Sequence, residues 1–313
     1  MNLVLIGMLS LAALAAQSLE LGHPDAKALI GIDVRSLRHS SLGQVFGDDI
    51  RKGGPGIFAF PGMALLDEID RVFVSSPGTK AGAKKGNPPV LIVATGHFSP
   101  GHVSQLLHGP HHAYRGVDVY SSSKDGSMSI ALLDESTLLL GDEPSLVGAI
   151  DRHVQGSKNS SAVFGRAAAM SPDRDLWLIA TVSPSAFQPS NMNLGRIASD
   201  IHGIDAGFSL RDGLDFEVAV LTKTPEIAHE LGEQFSTLIK DAVASKLDKA
   251  QASDLARKLQ ISSDGSQLRV KFALTKDELE GQIRTMRAAR AAAPRNTIKI
   301  LGLDDGVREI PIN

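Results

Sequence analysis

Half of the ten histidines of this chain lie between residues 97 and 112, and they form the densest set of side chains that could do chemistry. A neutral imidazole binds zinc, copper or nickel through a ring nitrogen, and a helix that turns into a loop could bring several imidazoles onto one ion. We therefore predict a candidate metal site. Its ligands would be His102, His108, His111 and His112.

The same histidines also suit a polar helix end followed by a loop. The spacing from His102 to His108 does not place both side chains on one helix face. The segment contains no His-Glu-x-x-His motif and no obvious carboxylate that would complete a metal site. A histidine near a helix C-terminus is favoured by the helix dipole instead. Both interpretations remain open from sequence.

Two other patterns could carry chemistry. Ser121-x-x-Lys124 has the spacing with which a lysine activates a serine in acylating enzymes, but the Ser-Asp-Asn and Lys-Thr-Gly motifs that accompany it are absent. We interpret it as a polar strand end. Asp70 and Asp205 could form a carboxylate pair, although aspartate is common at strand and turn boundaries. No glycine-rich phosphate loop and no Gly-x-Ser-x-Gly elbow is present.

The elements that must position these residues follow an α+β order. Apolar periodicity predicts strands at 29–34, 69–74, 90–94, 117–120, 128–133 and 137–140. It also predicts helices from 40 to 46, from Pro100 onward and from 144 to 154. Asp125-Gly126 between two alternating runs indicates a hairpin.

The second part of the chain repeats much of this order. The matches are 176–180 with 29–34, Ile204-Asp205 with Ile69-Asp70, Val218-Ala219 with Val93-Ala94, and Asp264-Gly265-Ser266 with Asp125-Gly126-Ser127. We predict two related halves, at residues 24–155 and 163–288, each a mainly antiparallel sheet with helices packed on it. A polar linker would join the halves, and a C-terminal strand and tail would occupy 296–313.

The first residues are typical of a signal peptide. Residues 3–16 are uncharged and apolar, and Ala13-Leu14-Ala15 supplies a small-x-small cleavage pattern, although Met1-Asn2 lacks the usual positive charge. As a helix this run is about 21 Å long, short of the roughly 30 Å hydrocarbon core. We predict a signal peptide at 1–15, a periplasmic or extracellular protein that is tethered if the leader is retained, and no stable membrane span.

Composition excludes several classes of function. The 32 basic and 35 acidic residues nearly balance and only 4% of residues are aromatic, so neither a positive field nor stacking platforms favour nucleic-acid binding. The chain has no cysteine, which rules out disulfides, thiol catalysis and thiolate metal sites. No cofactor is predicted apart from a metal ion at the histidines.

Three short motifs carry a resemblance to a known group. They are 114–119 (Tyr-Arg-Gly-Val-Asp-Val), 139–142 together with 149–152, and the ending 302–306 (Gly-Leu-Asp-Asp-Gly). On these motifs the chain resembles exported proteins of acidobacterial type that have no established activity. The resemblance implies export and the tandem α+β repeat, and it implies no catalytic residue.

Three functional hypotheses follow, each with a structural expectation. The first is an exported, non-catalytic binding or assembly protein for a protein, a polymer or an apolar ligand, which needs an apolar groove or patch and no convergent titratable group. The second is a metal-dependent or hydrolytic enzyme that uses the histidines from His97 to His112, which needs at least three converging imidazoles. The third is a subunit that pairs through an exposed strand edge.

Overall fold

The computed structural model describes residues 18–40, 43, 67–78, 88–106, 110–121, 128–157, 159–182, 197–246, 254, 257–292, 297–302 and 306–311. Four sequence predictions fall wholly or mostly outside these residues. They are the signal peptide at 1–15, the helix at 40–46, the Ser121-x-x-Lys124 pattern and the turn at Asp125-Gly126.

The described residues contain fourteen strands and six helices. In chain order they are β1 Ala28–Asp33, α1 Val34–His39, β2 Ile69–Ser76, β3 Leu91–Gly96, α2 Pro100–Leu106, β4 His111–Tyr114, β5 Val117–Ser121, β6 Ser129–Asp134, β7 Thr137–Gly141, α3 Glu143–Gln155, α4 Ala162–Met170, β8 Leu176–Thr181, β9 Ile201–Ser209, β10 Gly213–Thr222, α5 Pro225–Lys246, β11 Leu259–Asp264, β12 Gln267–Thr275, α6 Lys276–Ala292, β13 Thr297–Gly302 and β14 Gly306–Pro311. The predicted α+β class is confirmed.

Twelve of the strands form one antiparallel sheet. Its strand order is β11-β12-β10-β9-β8-β1-β2-β3-β7-β6-β5-β4, and β13 pairs with β14 in a separate hairpin. We call β1 to β7 the first half of the sheet and β8 to β12 the second half. The sequence predicted one sheet for each half, whereas β1 and β8 pair antiparallel over five residues and join the two into one. Each of these strands thereby satisfies the backbone groups of what would otherwise be an open edge.

The sheet has an apolar core on both faces, because strand side chains alternate between them. The front face carries Leu29, Phe73, Val93 and Trp177, and α3 and α4 cover it beside the first half and the junction. On the back face, α1 and α2 contribute to the core of the first half. The helices α5 and α6 pack on the back of the second half.

Capping side chains set several helix boundaries. Asp142 caps α3 by accepting a hydrogen bond from the Ser145 N–H, and Gly156 ends the helix in the left-handed conformation, close to the predicted limits of 144 and 154. The first strand was predicted to run through Val34. It ends one residue earlier because the Asp33 carboxylate accepts from the Ser36 N–H and starts α1 at Val34.

The segment that follows the predicted cleavage site is packed into the fold. Arg152 on α3 donates two hydrogen bonds to the carbonyl oxygen of Leu21, and Asn159 donates to the carbonyl oxygens of Leu19, Glu20 and Gly22. The Leu21 side chain is 3% exposed. Residues 18–23, which precede the predicted start of the first half at 24, therefore belong to the folded body.

Candidate functional site

The structure spreads the predicted histidine ligands over two elements. His102 lies on α2, whereas His111 and His112 are neighbours on β4, the edge strand of the first half. Because successive strand residues face opposite sides of a sheet, His111 and His112 point away from each other. His97 is 91% exposed and lies 3.6 Å from the Asp70 carboxylate.

The two β4 histidines have separate local partners. The His111 ring stacks on Tyr120 of β5 with ring centroids 5.0 Å apart, and His112 lies 3.4 Å from the Glu143 carboxylate. Among the described residues, no group of three or more His, Asp or Glu side chains could hold a metal ion. His108 and the side chain of His102 lie outside the described part, so the four-histidine site stays a prediction.

The two aspartates proposed as a carboxylate pair are far apart. Asp70 lies on β2 and Asp205 on β9, with β1 and β8 between them, which corresponds to about 14 Å at the usual strand spacing. Each has its own partner, since Asp205 forms an ion pair with Arg166 at 3.1 Å. Burial raises the pKa of Asp205, and the nearby Arg166 opposes that shift. The two carboxyls cannot share a proton.

The front face of the second half carries a cluster of charges that the sequence analysis missed. Arg174 lies between the carboxylates of Asp215 at 2.8 Å and Glu217 at 2.9 Å. Arg269 contacts Glu217 at 2.7 Å and Lys271 lies 3.6 Å from it. Because every carboxylate here is already paired with a cation, none is free to act as a general base. We interpret this cluster as structural.

The path of Arg174 depends on a glycine. A side chain at Gly207 would place its Cβ 2.9 Å from the Arg174 Cγ, so only glycine lets the arginine cross β9 to reach Glu217. One signal in the sequence could have revealed a charged and an apolar face on β10. The acidic residues alternate there with apolar ones, in the order Leu214, Asp215, Phe216, Glu217 and Val218.

A buried histidine forms a second polar network that the sequence analysis did not identify. The His23 Nε2 lies 2.9 Å from the Ser145 Oγ, whose hydroxyl donates to Asp142, and the His23 Nδ1 lies 2.8 Å from the Ser75 Oγ. These bonds are all satisfied if Nε2 carries the proton and Ser75 donates to Nδ1.

The His23 network lacks the arrangement of a catalytic triad. In a triad the imidazole lies between the nucleophile and the carboxylate, whereas here Ser145 lies between His23 and Asp142. Ser145 is 5% exposed and Ser75 is fully buried, so neither hydroxyl is accessible to a substrate. The network instead fixes the N-terminal segment to β2 and α3.

Protonation of His23 should weaken the fold. Burial, and then the positive charge of Arg152, lower the pKa of His23 below its ordinary value of 6.5. The unfolded chain therefore binds more protons than the folded chain below about pH 6.5, and stability that is complete above that pH is lost as the pH falls. We expect the Tm of the wild-type protein to fall between pH 7.5 and 5. Over this range the one proton on His23 should lower the free energy of unfolding by at most about 1.4 kcal/mol per pH unit.

His23→Gln should lower the stability at pH 7.5 but flatten this pH dependence. The matched control is His229→Gln, because His229 is 72% exposed on α5 and should leave the profile unchanged. Equal slopes for His23→Gln and the wild type in thermal unfolding from pH 5 to 8 would contradict the assignment.

An apolar row crosses the back face of the second half. It consists of Phe208 on β9, Phe216 on β10, Phe272 on β12 and Leu259 on β11, which are aligned by cross-strand pairing. Phe216 is 37% exposed, and the others are partly buried. A row of three aromatic rings and a leucine on adjacent strands is a continuous apolar surface.

Two helices frame this apolar row. On one side of it, α5 packs on the next cross-strand set, Val218, Val270 and Ile261. On the other side, α6 packs on Leu214 and Leu274. The helices start from opposite strand ends, since α5 follows β10 and α6 follows β12. The row therefore lies between the strand residues that α5 covers and those that α6 covers, and its Phe208 end also contacts α6.

The α5 helix adds a further exposed apolar side chain to the back side of the second half. Leu238 lies seven residues after the buried Leu231, so both are on the same helix face, yet Leu238 is 46% exposed. Among the described residues, the most exposed large hydrophobic side chains are Phe216, Leu238 and Val154. Two of these three, Phe216 and Leu238, lie on the back side of the second half.

No protein-family model and no curated protein matches this sequence. The solved structure of crystal form I of TP0453 is similar to this chain. The match covers 87% of this chain and 97% of that chain, with 9% sequence identity and a TM-score of 0.49. Among the described helices, none has the length and apolar character to cross a membrane.

Proposed function

We propose that this chain is an exported, non-catalytic binding protein whose apolar row receives an apolar ligand. The single observation that carries this proposal is the partly exposed line Phe208, Phe216, Phe272 and Leu259 between α5 and α6. Ligand sites are mostly apolar clefts, and the charged side chains beside Leu259 at the end of the row, Lys258, Asp254 and Glu278, are paired with one another.

Export is part of the same proposal. It is supported by the apolar run at 3–16 and the small residues around Ala15, and the short motifs at 114–119 and 302–306 support membership of the acidobacterial-type exported proteins. The packed segment that begins at Ser18 is compatible with cleavage just before Ala16, since the folded body would retain all its described contacts.

We further propose that the two halves are related by duplication. Counted outward from the junction, the strand orders β1-β2-β3-β7-β6 and β8-β9-β10-β12-β11 are the same, and each half has a helix after its third strand and another after its last hairpin. In this comparison the hairpin at Asp264–Gln267 corresponds to the β6–β7 turn, not to Asp125-Gly126-Ser127. The β4–β5 hairpin is an addition to the first half.

The halves differ in the position of their last helix, and this difference creates the binding surface. In the first half α3 covers the front face, with Leu146 and Ile150 packed in its core. In the second half α6 lies on the back face, where Leu279 and Ile283 pack against Phe208 and Leu214. The second half thus has two helices on its back, and the part of the apolar row formed by Phe216, Phe272 and Leu259 lies between them.

A neutral apolar fluorophore, N-phenyl-1-naphthylamine, tests the binding proposal. The exported protein, with its N-terminus verified as Ala16 by sequencing, should bind the probe with enhanced emission. Phe216→Ser should weaken the affinity about tenfold, because the lost ring contact is worth on the order of 1.4 kcal/mol. Fluorescence titration measures both values.

Val154→Ser is the matched control. Val154 is 55% exposed and lies on α3, which covers the front face of the first half and not the back face of the second half. The substitution should leave the affinity unchanged. Equal weakening by both substitutions would show general surface adsorption, and an unchanged affinity for Phe216→Ser would exclude the apolar row as the site.

A further inference from the structure

The two outer strands of the twelve-stranded sheet differ in how they are protected. The edge strand of the first half, β4, has only four residues. Short edge strands discourage pairing with another chain. The edge strand of the second half, β11, has six residues, all in regular register with β12 and without a bulge.

The sequence of β11 also lacks the residues that usually block an edge. Leu-Gln-Ile-Ser-Ser-Asp contains no lysine, arginine or proline. Among the described strands, β12 is its sole neighbour in the sheet. We propose that β11 pairs with β11 of a second copy of this chain, so that the sheet continues across a twofold axis. This interaction does not depend on the apolar row.

The hairpin geometry determines which backbone groups of β11 are available. The β11–β12 loop has two residues, Gly265 with φ of 53° and Ser266, and it is closed by the pair Asp264 and Gln267. The closing pair of such a hairpin is hydrogen-bonded, and bonded and non-bonded pairs alternate along the strands. The N–H and C=O groups of Leu259, Ile261 and Ser263 therefore point away from β12, toward the open edge.

These outward groups fit an antiparallel twofold with Ile261 on the axis. Ile261 then lies opposite Ile261 of the second copy, and Leu259 lies opposite Ser263 in both directions. Every outward N–H and C=O is used, with two hydrogen bonds at each of the three pairs. The register also keeps all side chains on matching faces, with Gln260 opposite Ser262 of the second copy, so no pair of like charges meets.

The helix α5 packs directly on this edge strand. The Ser263 hydroxyl donates to the Ala228 carbonyl oxygen, and Gly232 lies next to Ser263. These contacts involve a side chain of β11 on the back face, not the backbone groups that point toward the open edge. Pairing of the same kind already occurs within the molecule, where β1 and β8 join the two halves edge to edge.

The mass of the mature protein in solution tests the proposal. Light scattering at tens of micromolar should give a dimer. Gln260→Glu with Ser262→Glu should give a monomer, because carboxylates then oppose each other at two cross-strand pairs. Within one chain the two new carboxylates should not weaken the β11–β12 hairpin, since residues 260 and 262 lie opposite Lys271 and Arg269. Gln260→Glu with Ser262→Lys, which opposes unlike charges, should remain dimeric.

Cysteine cross-linking tests the register, and the natural chain has no cysteine to interfere. Gln260→Cys with Ser262→Cys should form a disulfide-linked dimer on a non-reducing gel, because residues at a non-bonded antiparallel pair are about 4.5 Å apart at Cα. Gln260→Cys with Asp264→Cys should not cross-link. A monomeric wild-type protein, a dimer that survives the double glutamate variant, or cross-linking through 264 instead of 262 would each overturn the proposed pairing.

Discussion

Gly31→Ala is expected to destabilise the protein by about 3 kcal/mol, at the upper end of the usual cost of overpacking a core. Gly31 on β1 pairs directly with Trp177 on β8, at the junction of the two halves. An added Cβ would lie 2.1 Å from the indole Cε2, and Trp177 is only 4% exposed. The indole has to move, which disturbs its contacts with Phe73 on the front face. Thermal unfolding should show a Tm lower by roughly 6–12 °C.

The same substitution elsewhere provides the control. Gly165→Ala adds a methyl group on α4 with no atom within 4 Å of it. It should stabilise the protein by up to about 1 kcal/mol, because alanine has the higher helix propensity. Combining Gly31→Ala with Trp177→Phe should cost less than the sum of the two single changes. Strict additivity would show that the steric conflict between Gly31 and Trp177 is not the cause.

Asp175→Ala is expected to cost about 4 kcal/mol, because it removes a fully buried carboxylate on which both halves depend. One oxygen accepts from the Ser36 hydroxyl at 2.7 Å and from the Arg211 Nε at 3.1 Å. The other accepts from the Leu210 N–H at 2.6 Å and from the Ser209 hydroxyl. Without it these donors remain unsatisfied inside the protein. Chemical denaturation at pH 7 measures the loss.

An exposed carboxylate gives the comparison for Asp175. Asp215 has an ion pair of similar geometry with Arg174 at 2.8 Å, but its side chain is 58% exposed. Asp215→Ala should therefore cost less than about 1 kcal/mol. Asp175→Asn should fall between the two, because its amide accepts on one side only. Similar losses for Asp175→Ala and Asp215→Ala would contradict the importance of burial.

These two positions show how the halves are held together. Ser36 belongs to α1 in the first half. In the second half, Ser209 is the last residue of β9, and Leu210 and Arg211 lie in the β9–β10 turn. Asp175 binds both sides, and Trp177 packs across the strand pair that joins them. The junction combines a regular β ladder with one polar anchor and one aromatic anchor, so we expect the two halves to unfold together.

Local chemistry in the sequence was sufficient to predict most elements. Thr137 to Leu140 was predicted as a strand and forms β7, and 144–154 was predicted as a helix and forms α3 with one further residue at each end. Apolar periodicity and caps act over a few residues and can be read directly. The sequence by itself therefore determined the α+β class, the order of most elements, the near balance of charges and the absence of thiol chemistry.

Only the tertiary structure decided which elements became neighbours. A strand pattern of period two shows that a face is apolar but not which strand pairs with it, so the union of both halves through β1 and β8 could not be predicted. The same holds for His23 with Ser75 and Ser145, which come together from three separate segments. The apolar row likewise depends on the pairing of β9, β10, β12 and β11, which aligns residues from four separate strands.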